Sequence, residues 1–168
     1  FWASGACLFI KSDLFKAFNG FNTLFFAHME EIDLCWRMKN AGYSIHYTPH
    51  STVFHVGGGT LSSENAFKSY LNFRNGLAML YCNLPSSKLW GTILPRLILD
   101  GVAAFSFLVH GKPKNSWAVF KAHRDFYKMM GCLKPIRKEV KENENSDFDS
   151  YGGLHDCSHR MRPADSDY

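Results

Sequence analysis

The sequence predicts an α/β protein, because short strand-like runs alternate with helical segments and a strongly apolar tail follows them. Residues 6–11 form a short apolar run of the kind that buried strands have, and residues 43–47 and 52–56 have strand character on either side of a proline-containing break. Residues 30–39 and 66–82 carry the periodicity of helices. Hydrophobic residues make up 46% of the 168 residues and charged residues 20%, which excludes wholesale disorder or a fibrous repeat.

The predicted helices of the N-terminal region have suitable start and stop residues. Ser12 is a candidate N-cap for a short helix over residues 13–18, and the Asn-Gly pair at 19–20 would end that helix. The helix over 30–39 carries acidic residues in its first turn and basic residues in its last, as the helix dipole favours, and Gly42 would end it. We therefore expect two well-delimited helices between the strand-like runs.

The apolar tail is predicted to associate with a membrane without simply spanning it. Residues 88–110 are long enough to cross a bilayer, which needs about 20 apolar residues. Pro95, Arg96 and Asp100 near the centre make a plain spanning helix costly, so we expect a helix that lies in the membrane interface or packs on the domain. Residues 116–130 form an amphipathic pattern with basic side chains beside aromatic ones, which suits an anionic membrane surface.

These patterns divide the chain into three parts: residues 1–84, the helical residues 85–133, and a polar tail over 134–168 that we expect to be disordered. The net charge of +4 is unevenly spread, because residues 1–133 hold 13 Lys+Arg and 7 Asp+Glu whereas the tail holds 6 and 8. The basic part suits an anionic partner such as a nucleotide, a phospholipid or a nucleic acid. The five cysteines are widely spaced without a Cys-x-x-Cys pair, which favours reduced thiols in a cytosolic setting.

Three acidic residues at the predicted start of the 30–39 helix are the sharpest candidates for chemistry: Glu30, Glu31 and Asp33. Group transfer to a hydroxyl needs a base that removes the proton as the new bond forms. A carboxylate at a helix N-terminus is held ionised by the dipole and by free backbone N–H groups, so it can accept a proton at neutral pH. Taken alone, such acids are also common in first turns that have no chemical role.

A second group of candidates consists of single residues, each of which could have either a binding role or a purely structural one. His55 precedes three glycines at 57–59, and it could reach a metal or a phosphate oxygen, or it could be a hydrogen-bonded core histidine. The glycines lack the Lys-Ser/Thr pair of a P-loop. Arg74 could grip a diphosphate or a carboxylate with two hydrogen bonds, or it could form a surface salt bridge. Trp2, Ser4 and Gly5 could line a sugar site, where an aromatic face and a close backbone are useful, or they could simply pack.

Six pieces of sequence follow one another in a specific order: Ser4-Gly5-Ala6, Phe18-Asn19-Gly20-Phe21-Asn22, Glu30-Glu31-Ile32-Asp33-Leu34-Cys35-Trp36-Arg37, Ala41-Gly42-Tyr43, His55-Val56-Gly57-Gly58-Gly59 and Arg74-Asn75. In this combination they resemble the C-terminal half of a family 2 glycosyltransferase catalytic domain of the GT-A type. The resemblance runs from about residue 3 to residue 81, and more loosely to residue 127. It implies a partial, Rossmann-like GT-A domain followed by apolar and amphipathic helices.

The resemblance also implies the catalytic residues and a metal ligand. Glu31 stands where such enzymes place the base that deprotonates the acceptor hydroxyl, and Glu30 beside it is the alternative. His55 matches the histidine that reaches the divalent metal or the donor diphosphate. Mg²⁺ or Mn²⁺ is the implied cofactor, and its role would be to neutralise the leaving diphosphate.

The remaining implied roles concern binding and positioning. Asp33 and Arg37 are implied to hold the helix and its surroundings in place, within a donor- and acceptor-binding region that also includes Gly5 and Arg74. In such a region Gly5 marks the point where the backbone approaches the donor sugar and the acceptor.

The implied function is inverting, metal-assisted transfer of a hexosyl group from a nucleotide sugar to a hydroxyl on a lipid-linked or surface polysaccharide. The expected partners are the nucleotide sugar, that acceptor and a membrane surface, without nucleic acid. The expected location is the cytoplasmic face of a bacterial cell membrane, as a peripheral or monotopic protein. Because the nucleotide-binding first half of a GT-A domain, which carries an Asp-x-Asp metal motif, has no counterpart in this sequence, we expect the isolated chain to show little or no turnover.

Three other classes of function compete with this interpretation. A membrane-peripheral binding or scaffold module could keep such a fold without its chemistry. A metal-dependent hydrolase built on Glu30, Glu31 and His55 is disfavoured, because no second histidine or acid stands at ligand spacing. A nucleic-acid binder is also disfavoured, because the basic residues are few and lie beside a very apolar stretch.

Overall fold

A computed structural model describes residues 1–55 and 65–143, and every regular element within those ranges is a helix. Two short 3₁₀ turns, Gly5–Cys7 and Thr23–Phe25, precede the first and second α-helices respectively. The five α-helices of the described ranges are, in chain order, α1 at Ser12–Ala17, α2 at Glu30–Asn40, α3 at Ala66–Asn83, α4 at Ser86–Val109 and α5 at Pro113–Asn143.

The predicted α/β class, and with it the Rossmann-like GT-A interpretation, is wrong for this structure. The run at 6–11 begins in a 3₁₀ turn, and neither 43–47 nor the described part of 52–56 is a strand. A strand forms only where a neighbouring strand pairs with its backbone N–H and C=O groups, and no such ladder exists within 1–55 and 65–143. The apolar residues Leu8 and Ile10 pack instead against buried side chains at the end of α1 and on α2.

The helices predicted in the N-terminal region are confirmed, with small shifts at their ends. The first helix begins at Ser12 itself, so that Lys11 occupies the N-cap position and no side chain caps the helix. Asn19 and Gly20 end it with positive φ angles of 56° and 62°. The acidic helix α2 ends as predicted before Gly42, whose φ of 87° is a conformation that glycine adopts without strain.

The core of the protein is built around α3. This helix packs mainly against α5, and it also contacts α4 and α2. Its central residues Leu77, Ala78 and Cys82 are almost fully buried, and they meet Phe25 from the turn before α2. The N-terminal end of α2 is therefore held against the most buried helix of the structure.

The last helix is longer than its sequence pattern suggested. The predicted boundary at residue 133 falls inside α5, which continues to Asn143, so residues 134–143 are helical rather than disordered. Ile136 and Val140 are 4% and 3% exposed and extend the spacing of Met129 and Leu133 along one helix face, which packs into the core. The rest of the predicted disordered tail, 144–168, lies outside the described residues.

Candidate functional site

The acidic cluster lies at the N-terminus of α2, where the sequence places it. Glu30 and Glu31 occupy the first turn, and the preceding residue, Met29, provides no side-chain cap for the helix. Each glutamate has one carboxylate oxygen, Oε2, that is buried without a hydrogen-bond partner. The Nε2 atom of His28, just before the helix, is in the same condition. A buried polar atom without a partner is costly, and three such atoms lie within four residues of the chain at this helix start.

Gly5 and Glu31 are two predicted site residues that the structure brings together. A Cβ atom built on Gly5 would lie 3.7 Å from both Cδ and Oε1 of Glu31. Gly5 has no side chain, so residue 5 places no side-chain atom against this carboxylate. The backbone of residue 5 therefore lies against the Glu31 side chain at ordinary contact distance.

A groove of about 550 Å³ lies beside this contact and was not predicted. Its walls are formed by residues 3–4 and 6–10 on either side of Gly5, and by residues 44–48, 51 and 53, whereas Gly5 and Glu31 themselves do not line it. Leu34, Cys35 and Met38 of α2 also line the groove. The volume falls in the range of small-molecule pockets, about 300–1,000 Å³. The sequence pattern could not show this groove, because both walls are irregular segments.

The backbone just before α2 adopts an unusual conformation. Phe26, His28 and Met29 have positive φ angles of 60°, 66° and 75°, which residues with side chains rarely adopt. Each such residue costs on the order of 1 kcal/mol or more and persists only where the surrounding structure holds it. The loop that presents the glutamates is therefore strained, and something must fix it.

One amide group from α3 fixes this loop. The Nδ2 atom of Asn75 lies 2.8, 2.8 and 2.9 Å from the carbonyl oxygens of Phe25, Ala27 and His28, and its two N–H groups serve all three acceptors. Asn75 is fully buried, and its Oδ1 accepts a hydrogen bond from Nε of Arg74 at 2.9 Å. The side chain therefore stabilises the irregular approach to α2.

Arg74 contributes to the same support. It is 6% exposed, and its Nη2 donates to the carbonyl oxygen of Leu24 at 3.0 Å, while its Nη1 donates to the hydroxyl of Tyr70 at 3.3 Å. The guanidinium thus holds backbone and side-chain oxygens of the protein itself. The donor- or acceptor-binding role implied for Arg74 stays a prediction, and its position is inside the protein rather than in the groove.

Replacing Asn75 by alanine (Asn75→Ala) is expected to lower the free energy of unfolding by about 2–3 kcal/mol, because the carbonyl groups of Ala27 and His28 lose their side-chain donor and that of Phe25 loses one of several donors. Urea denaturation followed by circular dichroism measures the change. Asn40→Ala is the matched control, since Asn40 is half-buried and makes one long hydrogen bond of 3.4 Å to the carbonyl of Asn83. Equal losses for the two variants would contradict the supporting role of Asn75.

A buried ion pair between Asp33 and Arg37 connects α2 to its neighbours in the fold. Asp33 and Arg37 are 1% and 3% exposed, and Nε of Arg37 lies 2.9 Å from Oδ2 of Asp33. Arg37 also donates to the carbonyl oxygens of Phe18 at 2.6 Å and Gly20 at 2.9 Å. Oδ1 of Asp33 accepts from Nδ2 of Asn83 in α3 at 2.8 Å. These contacts connect α2 to the end of α1 and to α3, and any contact of Asp33 or Arg37 with a substrate stays a prediction.

Two ionisable groups of α3 have pKa values shifted by their surroundings. Burial raises the pKa of Tyr70, although the nearby Arg74 opposes the change. Burial also raises the pKa of Cys82, and the carboxylate of Asp33 acts in the same direction. Both groups therefore stay protonated at neutral pH. The hydroxyl of Tyr70 accordingly donates to Oδ2 of Asp125 at 3.0 Å.

His55 is exposed at the end of the first described range, in a segment without regular structure. No hydrogen bond or ion pair between described residues joins it to Glu31. The glycines at 57–59 lie outside the described residues, and residues 1–55 and 65–143 hold no group of three or more potential metal ligands. The proposed metal contact of His55 therefore stays a prediction.

Comparison with known proteins finds similarity over part of the chain. It is 37% identical over 54 residues to N-acetylglucosaminyl-diphospho-decaprenol L-rhamnosyltransferase of Mycobacterium tuberculosis, a match that covers 32% of this chain and 18% of that protein. It is 35% identical over 54 residues to rhamnosyltransferase WbbL of Escherichia coli K12, covering 32% of this chain and 20% of that protein. No family model matches the chain, and neither does a solved structure.

These matches indicate a glycosyltransferase at a coarse level. The matched stretch spans about a fifth of the length of each relative, so the similarity supports the class of enzyme only coarsely and shows no particular family.

Proposed function

We propose that this chain carries the acceptor-activating part of a family 2-type glycosyltransferase, which transfers a sugar from a nucleotide sugar to a lipid-linked acceptor. The observation that carries the proposal is the carboxylate of Glu31. It lies at a helix N-terminus, one of its oxygens is buried without a partner, and residue 5 beside it is a glycine that places no side chain against it. The similarity to two rhamnosyltransferases supports the same class of reaction.

In the proposed reaction, Glu31 accepts the proton of an acceptor hydroxyl as the hydroxyl oxygen attacks the anomeric carbon of the donor sugar. The bond between that carbon and the diphosphate oxygen breaks, and the nucleoside diphosphate leaves with the bonding electrons. Attack from the face opposite the leaving group inverts the anomeric configuration. Glu31 lies in the first turn of α2, and a carboxylate side chain at this position can act as the general base for an acceptor hydroxyl.

We propose a divalent cation as the cofactor, although residues 1–55 and 65–143 hold no group of three or more potential metal ligands. The unpartnered oxygen of Glu30 is a hard ligand of the type that Mg²⁺ and Mn²⁺ prefer, and we propose the imidazole of His55 as a second ligand. When bound, the cation would neutralise charge on the departing diphosphate. Glu30 would then hold the cation while Glu31 acts on the acceptor.

The names of the relatives suggest the substrates to examine first. One relative is named for rhamnosyl transfer to N-acetylglucosaminyl-diphospho-decaprenol. We therefore propose a nucleotide-activated L-rhamnose as donor and a sugar linked to a polyprenyl diphosphate as acceptor. An acceptor of this kind lies in a membrane, which fits a peripheral enzyme at the cytoplasmic face of a bacterial cell membrane.

The test is a transfer assay with the native protein purified at its full length. Nucleotide-activated L-rhamnose, glucose and N-acetylglucosamine are offered with a short-chain polyprenyl diphosphate sugar, and mass spectrometry detects the lengthened acceptor. We expect transfer from one donor, with an inverted anomeric configuration by nuclear magnetic resonance.

EDTA should abolish this turnover, and added Mg²⁺ or Mn²⁺ should restore it. Turnover that persists in EDTA would overturn the metal assignment. Failure to lengthen a lipid-linked acceptor from each of the three donors would overturn the proposed function. The chain 1–168 alone, assayed in parallel, is expected to show little turnover.

A further inference from the structure

The outer face of α4 carries many exposed apolar side chains that the described residues do not cover. Among those residues, α4 is the one helix long and apolar enough to cross a membrane, and most of its surface is exposed. Its large apolar side chains that are more than half exposed are Trp90, Leu94, Ile98, Leu99, Val102, Phe105, Leu108 and Val109. Most of these lie at spacings of three and four residues, so they form one continuous face. A surface of this size usually meets another apolar phase.

The charged residues of α4 lie on the opposite side, towards the protein. Asp100 is 2% exposed and accepts a hydrogen bond from Nε of Arg96 at 2.6 Å. Its other oxygen lies 3.0 Å from Nε2 of His123 in α5, and the Arg96 guanidinium lies over the ring of Phe73 in α3. Arg96 and Asp100, which the sequence alone presents as an obstacle to membrane contact, are therefore paired with other protein groups and lie away from the apolar face.

The arrangement of α4 and α5 favours a helix along the membrane surface over a helix across it. α5 packs on α4, and its side chains Arg124 and Lys128 are 56% and 65% exposed. A spanning α4 would carry these charges into the hydrocarbon region, at a cost of several kcal/mol each. An α4 that lies in the interface immerses its apolar face and leaves the charges of α5 in water or among lipid headgroups.

The charges around the turn between α4 and α5 favour anionic lipid over a second copy of the chain. Residues 112–128 hold five Lys and Arg residues and one acidic residue, Asp125. The exposed aromatic rings of Trp117, Phe120 and Tyr127 stand among these basic residues, a combination typical of membrane interfaces. Two copies that met through this surface would bring like charges together, whereas anionic headgroups would attract them.

We propose that the outer face of α4 and the first turns of α5 form a monotopic membrane-binding surface for a bilayer that contains anionic phospholipid. We call this surface the α4 face. The proposal rests on the proposed function in one respect, which is that membrane binding would bring the enzyme to a lipid-linked acceptor. The binding itself needs only the apolar and basic side chains of the α4 face and no sugar chemistry.

Vesicle flotation without donor or acceptor tests the proposal. We expect the protein to float with phosphatidylcholine vesicles that contain phosphatidylglycerol, and to bind at least about tenfold less well to pure phosphatidylcholine or in high salt. Ile98→Glu combined with Phe105→Glu should weaken binding at least about tenfold, since it places two charges on the apolar face. Phe9→Glu combined with Phe54→Glu is the matched control, because those rings are 92% and 97% exposed outside the α4 face.

Orientation is tested on bound vesicles with an impermeant maleimide and peptide mapping. Cysteines introduced by Ser87→Cys and Lys114→Cys flank α4, and both should react from outside if the helix lies in the interface. Reaction at one of the two alone would mean that α4 spans the bilayer and would overturn the proposal. Circular dichroism shows that each variant keeps its helix content.

Equal binding to neutral and anionic vesicles would overturn the proposal, and so would an equal loss of binding in the Phe9→Glu, Phe54→Glu control. It would also be overturned if the protein did not bind vesicles but formed a stable dimer in light scattering that Ile98→Glu disrupts. The transfer assay with a water-soluble acceptor separates this proposal from the proposed function. Normal transfer without vesicle binding would refute the α4 face alone.

Discussion

Glu31→Gln is expected to lower the rate of sugar transfer about 100-fold to 10,000-fold, because the amide cannot accept the proton of the attacking hydroxyl. The replacement keeps the size and shape of the side chain next to Gly5. It also removes a charge whose Oε2 is buried without a partner, so the free energy of unfolding should stay the same or rise by up to about 1 kcal/mol. Lost turnover with retained stability distinguishes a chemical role from a structural one.

The measurement combines single-turnover kinetics of the native protein with urea denaturation. Glu30→Gln is the matched control, since Glu30 is also half-buried in the first turn of α2 and has the same unpartnered oxygen. Its replacement should change the dependence on Mg²⁺ concentration more than the rate at saturating metal. A Glu31→Gln rate within about threefold of the native rate would contradict the assignment, and a larger loss in Glu30→Gln would move the base to that residue.

Arg37→Ala is expected to lower the free energy of unfolding by about 3–5 kcal/mol, which is the largest stability effect that we predict. The change leaves the carboxylate of Asp33 almost fully buried without its ion partner. It also removes the donors to the carbonyl oxygens of Phe18 and Gly20. Since small domains are stable by about 5–15 kcal/mol, this variant should be close to unfolding at room temperature.

Urea denaturation and thermal unfolding by circular dichroism measure this loss. Arg124→Ala is the control, because Arg124 pairs with Asp125 at the surface, where an ion pair contributes about 0–1 kcal/mol. If Arg37→Ala does not fold, Arg37→Lys keeps the charge but lacks the planar guanidinium, and it should still lose about 1–3 kcal/mol. A loss below about 1 kcal/mol in the alanine variant would contradict the structural role of the pair.

The helices of the structure could be predicted from sequence where local signals agreed. α2 has acidic residues at its start, basic residues near its end and Gly42 after it, and its bounds differ from the prediction by one residue. The end of α5 was missed because Ile136 and Val140 stand among charged residues. Their spacing from Met129 and Leu133 carried the signal, since it continues one apolar face.

The prediction of strands was wrong for a different reason. An apolar run such as 6–11 has the local character of a strand, but pairing depends on a neighbour that local sequence does not reveal. In the structure, Leu8 and Ile10 find their apolar contacts against α1 and α2 instead. The α/β prediction inferred a long-range property from a short-range pattern.

The sequence predicted that the acidic residues of the candidate site lie at a helix start, but it did not predict the side chain that holds the preceding loop. The place of Glu31 at a helix start followed from the sequence, whereas its contact with Gly5 was not predicted. Asn75 was only the second residue of an Arg-Asn pair in the sequence. Its importance comes from backbone carbonyl groups about 50 residues away along the chain, and carbonyl groups leave no trace in a sequence.

The bonding of Asn75 limits which amino acids can occupy that position. Three oxygens converge on one nitrogen that carries two hydrogens, at the end of a side chain with a single methylene. Aspartate has the same length but repels the oxygens, serine offers one hydrogen, and glutamine overshoots by a carbon. Relatives that retain the kinked entry to α2 should therefore keep asparagine here, and a relative with another residue should have a differently shaped loop.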